Sequence, residues 1–368
     1  MGNACGSNSK VEHPQPAKVN ADGASASNTP AGAPAPASAA LAATKGEPPG
    51  AAPSGSKMLE QEEPADDDLL LNIFYPEDIA KRSSLPLIVY QHGRGCTAHV
   101  YKPLFAHWVS MGFVVVFPHK HDSAVMGEDP PWPSTTLDDS PDGIEMQLAL
   151  KRMISKANAD KSSVFFNRID TKNLALGGHS MGGKSAICAG AQIEPHALLL
   201  HSPSCSAEGS EVYDLSKEQI EDRFAGLAKD RTPIMLMTND EDVGQEKVLS
   251  VFHAPKLAKC PRIYVQYSKA ACAKCESNIV KHCEVPRTIF DREFMINGPL
   301  GLSFRAHCYI GAGGEHDPSL KWGDIFMKLY LTHKGDKSCK EYEQIWGDGP
   351  DSLKKDPNVT QVLISTGE

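Results

Sequence analysis

The sequence predicts an α/β fold: a mostly parallel central sheet with helices on both faces, preceded by a disordered N-terminal segment. Three observations carry this. Short apolar runs such as Leu85-Pro86-Leu87-Ile88-Val89-Tyr90 and Phe113-Val114-Val115-Val116-Phe117 read as strands buried on both faces. Stretches with helical apolar spacing separate them, which is the alternation of a parallel sheet. Between an apolar run and a helix-like stretch stands Gly178-His179-Ser180-Met181-Gly182, the G-x-S-x-G pattern of a serine on a sharp strand-to-helix turn.

Taken in order, residues 1–65 form the expected disordered segment. From Asn8 to Ser56 it is dominated by Ala, Pro, Gly and Ser, and so lacks the large apolar side chains that would offset the entropy of ordering. Its front, Met1-Gly2-Asn3-Ala4-Cys5, offers Gly2 for N-myristoylation and Cys5 for palmitoylation. Two acyl chains would hold a soluble domain on a membrane where one would not. The expected location is therefore the cytoplasmic face of a membrane by peripheral attachment, with the cytosol or a plastid as alternatives.

Residues 66–350 are the expected catalytic domain. Strands are predicted at Leu69 to Pro76, Leu85 to Tyr90, Phe113 to Phe117, Asn173 to Gly177, Ala197 to Leu200, Ile234 to Met237 and Phe304 to Ile310. Helices are predicted from Tyr101 to Met111, stopped by Gly112, from Ile144 to Ile154, and after Ser180. The Cys-containing stretch 256–300 reads as an insertion and candidate lid, and 351–368 as a C-terminal tail.

Composition narrows the function. The 368 residues carry a formal charge of -9 without a basic patch interleaved with aromatics, which argues against a nucleic-acid partner. No apolar run reaches the roughly 18 residues that span a bilayer. Ten cysteines are too sparse for a disulfide scaffold in a chain of this length, so reduced thiols are expected.

In a parallel sheet the chemistry sits at the carboxyl ends of the strands, and the loops there carry the groups that acyl transfer needs. Ser180 is the candidate nucleophile. After the strand ending at Tyr90 comes Gln91-His92-Gly93-Arg94-Gly95, where the Arg94 amide, with that of Met181, could form an oxyanion hole. Thr238-Asn239-Asp240-Glu241-Asp242 supplies an acid, Asp242 first and Asp240 second, to fix a histidine tautomer. Gly311-Ala312-Gly313-Gly314-Glu315-His316 supplies the histidine, with His307 as its competitor. The order Ser, Asp, His is the one this architecture uses. His92, Gly93, Trp132 and Pro203 are candidate pocket residues, and Lys184 reads as a helix residue beside the elbow.

The span from Leu69 to Trp346 resembles α/β-hydrolases of the dienelactone hydrolase, polyester hydrolase (cutinase-like), chlorophyllase and platelet-activating-factor acetylhydrolase group. Asn167-Arg168-Ile169-Asp170 running into Leu174-Ala175-Leu176 and the elbow is similar to the bacterial polyester hydrolases. Matching Pro233 and its strand to that family implies a catalytic acid at Asp242 and puts the family's oxyanion tyrosine at Arg94. Gly182-Gly183-Lys184-Ser185-Ala186 resembles chlorophyllase, which has an arginine where Met181 stands. His119-Lys120-His121-Asp122-Ser123-Ala124 resembles a stretch of the acetylhydrolases. His201-Ser202-Pro203-Ser204 replaces the tryptophan of polyester hydrolases, which turns the expectation away from polymers.

The resemblance implies an α/β-hydrolase fold and a serine carboxylic-ester hydrolase acting through an acyl-enzyme. Its expected substrate is a small-molecule or lipid-like ester, with hydrolysis of the chlorophyll phytyl ester as an alternative. No cofactor or metal is expected. Two other readings compete: a non-catalytic ligand-binding protein on the same fold, and a zinc site built from Cys272, Cys275, His282 and Cys283, to which Cys260 could add a ligand.

Overall fold

The computed structural model describes residues 57–65, 69–93, 98–120, 143–209, 215–240, 242, 244–268 and 318–367. Within them, nine strands build one sheet: β1 (Met58–Pro64), β2 (Leu69–Pro76), β3 (Leu85–Gln91), β4 (Val114–Lys120), β5 (Ile169–His179), β6 (Ala197–His201), β7 (Ile234–Asn239), β8 (Arg262–Tyr267) and β9 (Val359–Ser365). Their spatial order is β1-β2-β4-β3-β5-β6-β7-β8-β9. The block β4, β3, β5, β6, β7, β8 is parallel; β2 and β9 flank it antiparallel, and β1 pairs antiparallel with β2 at the outer edge.

Burial of the parallel strands on both faces follows from their composition. Successive side chains point to opposite faces, and in β3 Leu87 and Val89 enter one apolar cluster while Ile88 and Tyr90 enter the other. In β6 and β7 the same alternation sends Leu198, Leu200, Ile234 and Leu236 one way and Leu199, Met235 and Met237 the other. The first face is covered by α2 (Ile144–Asn158), α3 (Met181–Ile193), α4 (Lys217–Lys229) and α5 (Gln245–His253). The second is covered by α1 (Ala98–Ser110), α6 (Pro318–Met327) with the π-helical turn Lys328–Thr332 that continues it, and α7 (Lys340–Trp346). The α/β class is as the sequence predicts, and no helix of the described residues is long and apolar enough to cross a membrane.

The sheet extends past the predicted span 66–350 at both ends. β1 precedes it, and β9 lies within the stretch read as a tail. Strand β8 falls inside 256–300, so the stretch expected to be an insertion begins with a strand of the sheet. These strands were hard to see because two are edges. An edge strand has one hydrogen-bonding side unpaired, and charged side chains there suppress association. In β1 the charge also has partners: Glu62 accepts from Asn72 Nδ2 at 3.1 Å, and Glu63 pairs with Lys156 of α2. The strand expected at Phe304 to Ile310 lies outside the described residues.

Candidate active site

β5 ends at His179 and α3 begins at Met181, leaving Ser180 alone to make the turn. Its backbone is at φ 54°, ψ -115°, a conformation that a non-glycine residue adopts only when its surroundings enforce it. Four hydrogen bonds do so. The Ser180 amide donates to the His201 carbonyl at 2.9 Å, and the Ser180 carbonyl accepts from the amides of Gly183 at 3.0 Å, Lys184 at 3.3 Å and Ser204 at 2.8 Å.

The small residues of the motif answer to close backbone approach. A Cβ on Gly178 would collide with the Gly182 carbonyl, and one on Gly182 with the Gln91 carbonyl. The elbow thus locks directly onto the end of β3. With the Gly183 amide turned onto Ser180, the Met181 and Gly182 amides are in the first turn of α3, where a helix leaves its N–H groups without intrahelical acceptors. Met181 itself is 2% exposed.

The end of β3 forms the second wall. Gln91 donates through Nε2 to Glu145 of α2 at 2.7 Å. His92 donates from Nδ1 to the Gly93 carbonyl at 2.9 Å and packs its ring on Phe117. Burial first, and then the neighbouring His119 and His179, push its pKa down to about 4 against the opposing pull of the Gly93 bond. His92 is therefore a neutral buried group. The Gly93 amide donates to the Tyr101 hydroxyl at 2.9 Å, and that hydroxyl lies 3.0 Å from His179 Nδ1. A Cβ on Gly93 would stand 2.7 Å from His179 Nδ1 and 3.2 Å from Ser180 Cβ, so this loop rests on the serine itself.

At the end of β6, His201 Nδ1 meets the Tyr90 hydroxyl at 3.0 Å, and burial pushes its pKa down to about 3. Pro203 follows, buried against Gly183 of the elbow helix. At the end of β7 the two acid candidates part. Asp240 is exposed, whereas Asp242 is 3% exposed and both of its carboxylate oxygens accept hydrogen bonds. Thr238 Oγ1 donates to Oδ2 at 3.0 Å and the Gly244 amide to Oδ1 at 2.7 Å.

Lys184, in α3, is wholly buried. Gly2, Cys5, Arg94, Trp132, His307, His316, Cys272, Cys275, His282 and Cys283 lie outside the described residues. Cys260 does not: it is packed in the core, where burial pushes its thiol up to about 12, the environment of an inert structural thiol rather than a ligand. Among the described residues one group of side chains has metal-ligating chemistry, His333, Cys339 and Glu341. The Lys328 ammonium already neutralises that carboxylate.

Sequence reasoning passed over Tyr101, Tyr90, His201 and Thr238. The first two sit at apolar positions of a helix and a strand, where a tyrosine reads as packing.

A serine strained at the carboxyl end of a central parallel strand, ahead of the first turn of a helix, is the elbow arrangement of α/β-hydrolases, and the family that part of the chain matches belongs to that superfamily of serine esterases. Residues 59–200 match the Chlorophyllase family. The matched span holds the elbow and the Gly93 loop and ends in β6, before Asp242 and His316. No curated protein matches the chain.

Proposed function

We propose that the protein is a metal-independent serine carboxylic-ester hydrolase. Ser180 attacks the ester carbonyl, His316 takes its proton and returns it to the leaving alcohol, and Asp242 orients the imidazole. The amides of Met181 and Arg94 hold the tetrahedral oxyanion. The observation that carries this reading is the backbone of Ser180: φ 54° at the N-cap of α3, held by four hydrogen bonds and two glycine contacts. Asp242 is supported over Asp240 because its buried carboxylate is fixed in direction by two hydrogen bonds, whereas Asp240 is exposed. Arg94 is supported over Gly93 because the Gly93 amide is already engaged by Tyr101.

The match to the Chlorophyllase family favours a bulky hydrophobic ester, with the chlorophyll phytyl ester among the candidates. Peripheral attachment through acylated Gly2 and Cys5 would bring the enzyme to membrane-dissolved substrate. Labelling of the intact protein with a fluorophosphonate probe, beside an ester panel from acetyl to long-chain acyl that includes chlorophyll, tests the reading. Labelling and turnover that vanish in Ser180→Ala are expected. Turnover that survives this change overturns the mechanism, and absence of Ser180-dependent labelling in the unaltered protein favours a ligand-binding role. Loss of membrane association in Gly2→Ala tests the anchor.

A further inference from the structure

We propose that Tyr101 is a positioning residue for the nucleophile elbow, its hydroxyl fixing the distance between Gly93, at the end of β3, and the residue before Ser180. The inference rests on the esterase reading above. Tyr101 has one hydroxyl proton. Because its oxygen accepts from the Gly93 amide at 2.9 Å, the proton is available to His179 Nδ1 at 3.0 Å. His179 then carries its own proton on Nε2. It is also the residue immediately before Ser180, so one oxygen atom joins the end of β3 to the end of β5 across the candidate site.

The bridge is itself held rigidly. Tyr101 is fully buried, and its ring packs against Tyr90, Phe105 and Phe117. It belongs to α1, the helix that follows the Gly93–Arg94 loop, so the segments on both sides of that loop are tied to one point. At Gly93 itself there is no room for a side chain, since an added Cβ would stand 3.2 Å from Ser180 Cβ.

Two consequences follow for the chemistry. The Gly93 amide is committed to Tyr101 and so is not itself an oxyanion donor. Through His179 the same hydroxyl holds the residue before Ser180, and a nucleophile displaced by a fraction of an ångström attacks far more slowly.

The test uses the full-length protein, a p-nitrophenyl ester, and active-site titration with a fluorophosphonate so that rates are expressed per competent site. Tyr101→Phe removes only the hydroxyl. Its kcat is expected to fall roughly 10- to 100-fold while KM stays within about 3-fold, the pattern of an interaction realised only in the transition state. Inhibition by a phenylboronic acid, which forms a tetrahedral adduct on the serine, is expected to weaken by a similar factor. Trp322→Phe is the control: it removes a buried hydrogen bond, that of the indole to Asp356, without touching Gly93 or His179. It is expected to lower the melting temperature comparably and leave kcat within about 3-fold.

Full kcat per titrated site in Tyr101→Phe, or an equal kcat loss in Trp322→Phe, overturns the assignment while leaving the esterase reading intact. If Tyr101→Phe does not fold, His179→Leu cuts the bridge at its other end. It is expected to lower kcat at unchanged KM, and unaltered kcat there overturns the assignment too. A wild-type protein with no Ser180-dependent turnover brings down the esterase reading itself, and this inference with it.

Discussion

The Thr238 hydroxyl donates to Asp242 Oδ2 at 3.0 Å and itself lies 3.4 Å from the Ser202 hydroxyl that donates to it. The chain Ser202, Thr238, Asp242 thus joins the ends of β6 and β7 and aims the carboxylate. Asp242→Asn is expected to lower kcat by about 10⁴-fold with the fold retained, the scale of a triad acid that sets the histidine tautomer. Thr238→Val should cost roughly 5- to 20-fold in kcat and about 1–2 kcal/mol of stability. Asp240→Asn should leave kcat within about 2-fold. Steady-state kinetics with urea unfolding decides all three, and a greater loss at Asp240 would move the acid there.

Gly182 touches the Gln91 carbonyl so closely that no side chain fits. Gly182→Ala is expected to force the elbow away from β3 and cost about 3 kcal/mol or more, at the upper end of what overpacking does. Activity should be lost in the molecules that still fold, read by fluorophosphonate labelling of the soluble fraction. Wild-type stability in this variant would mean that the elbow and β3 are not in contact.

His92 and His201 are buried neutral, with pKa values pushed down from 6.5 to about 4 and about 3. The unfolded chain takes up these protons near pH 6.5, the folded chain only well below it. Stability is therefore complete above about pH 6.5 and is lost as pH falls toward 3, by up to about 1.4 kcal/mol per pH unit for each group. Urea titrations between pH 7 and pH 4 should show this decline. His201→Asn should reduce its slope by up to one proton's worth, and an unchanged slope would show that His201 does not titrate in that window.

Asp356 stands in the turn before β9 and accepts from Trp322 Nε1 at 3.0 Å and Lys321 Nζ at 2.8 Å, both on α6. Burial raises its pKa, but Lys321, the Asn358 amide and Trp322 outweigh that and hold the carboxyl below the usual range. The stabilisation is present above the ordinary carboxylate pKa of about 4 and disappears as pH falls through the lower folded value. Asp356→Ala leaves the indole N–H of a fully buried tryptophan without its partner, and about 2–3 kcal/mol of destabilisation is expected at neutral pH by urea unfolding. A change below about 0.5 kcal/mol would mean that this tie contributes nothing.

Much of this architecture is legible in the chain, for reasons that differ by element. β3, β4 and β6 are buried on both faces, and apart from the polar residues at their carboxyl ends they are built of apolar side chains, so their runs stand out. The elbow is legible because its glycines meet contacts that no other residue can make. β1 is not: Glu60, Glu62 and Glu63 read as linker until Asn72 and Lys156 are seen to receive two of them. β8 carries Ile263 and Val265 in strand spacing, but its neighbouring cysteines suggested a different explanation for the whole stretch. At the site, Ser180 and Asp242 follow from motif and position. The Tyr101 bridge does not, because a hydroxyl that joins two distant strand ends leaves the same trace in sequence as an aromatic packed in a core.

The antiparallel pairing of β9 with β8 couples the fold to the order in which the chain is made. β9 comes after every other described strand, so during synthesis the ribosome releases the whole parallel block while one flank still lacks its neighbour. That flank is β8, whose outer hydrogen-bonding edge β9 occupies in the finished sheet. A nascent or truncated chain ending near residue 350 would present an open, apolar template to other copies of itself. The last dozen residues would then act as a cap on aggregation, and shortening the protein there should cost solubility before it costs anything at Ser180.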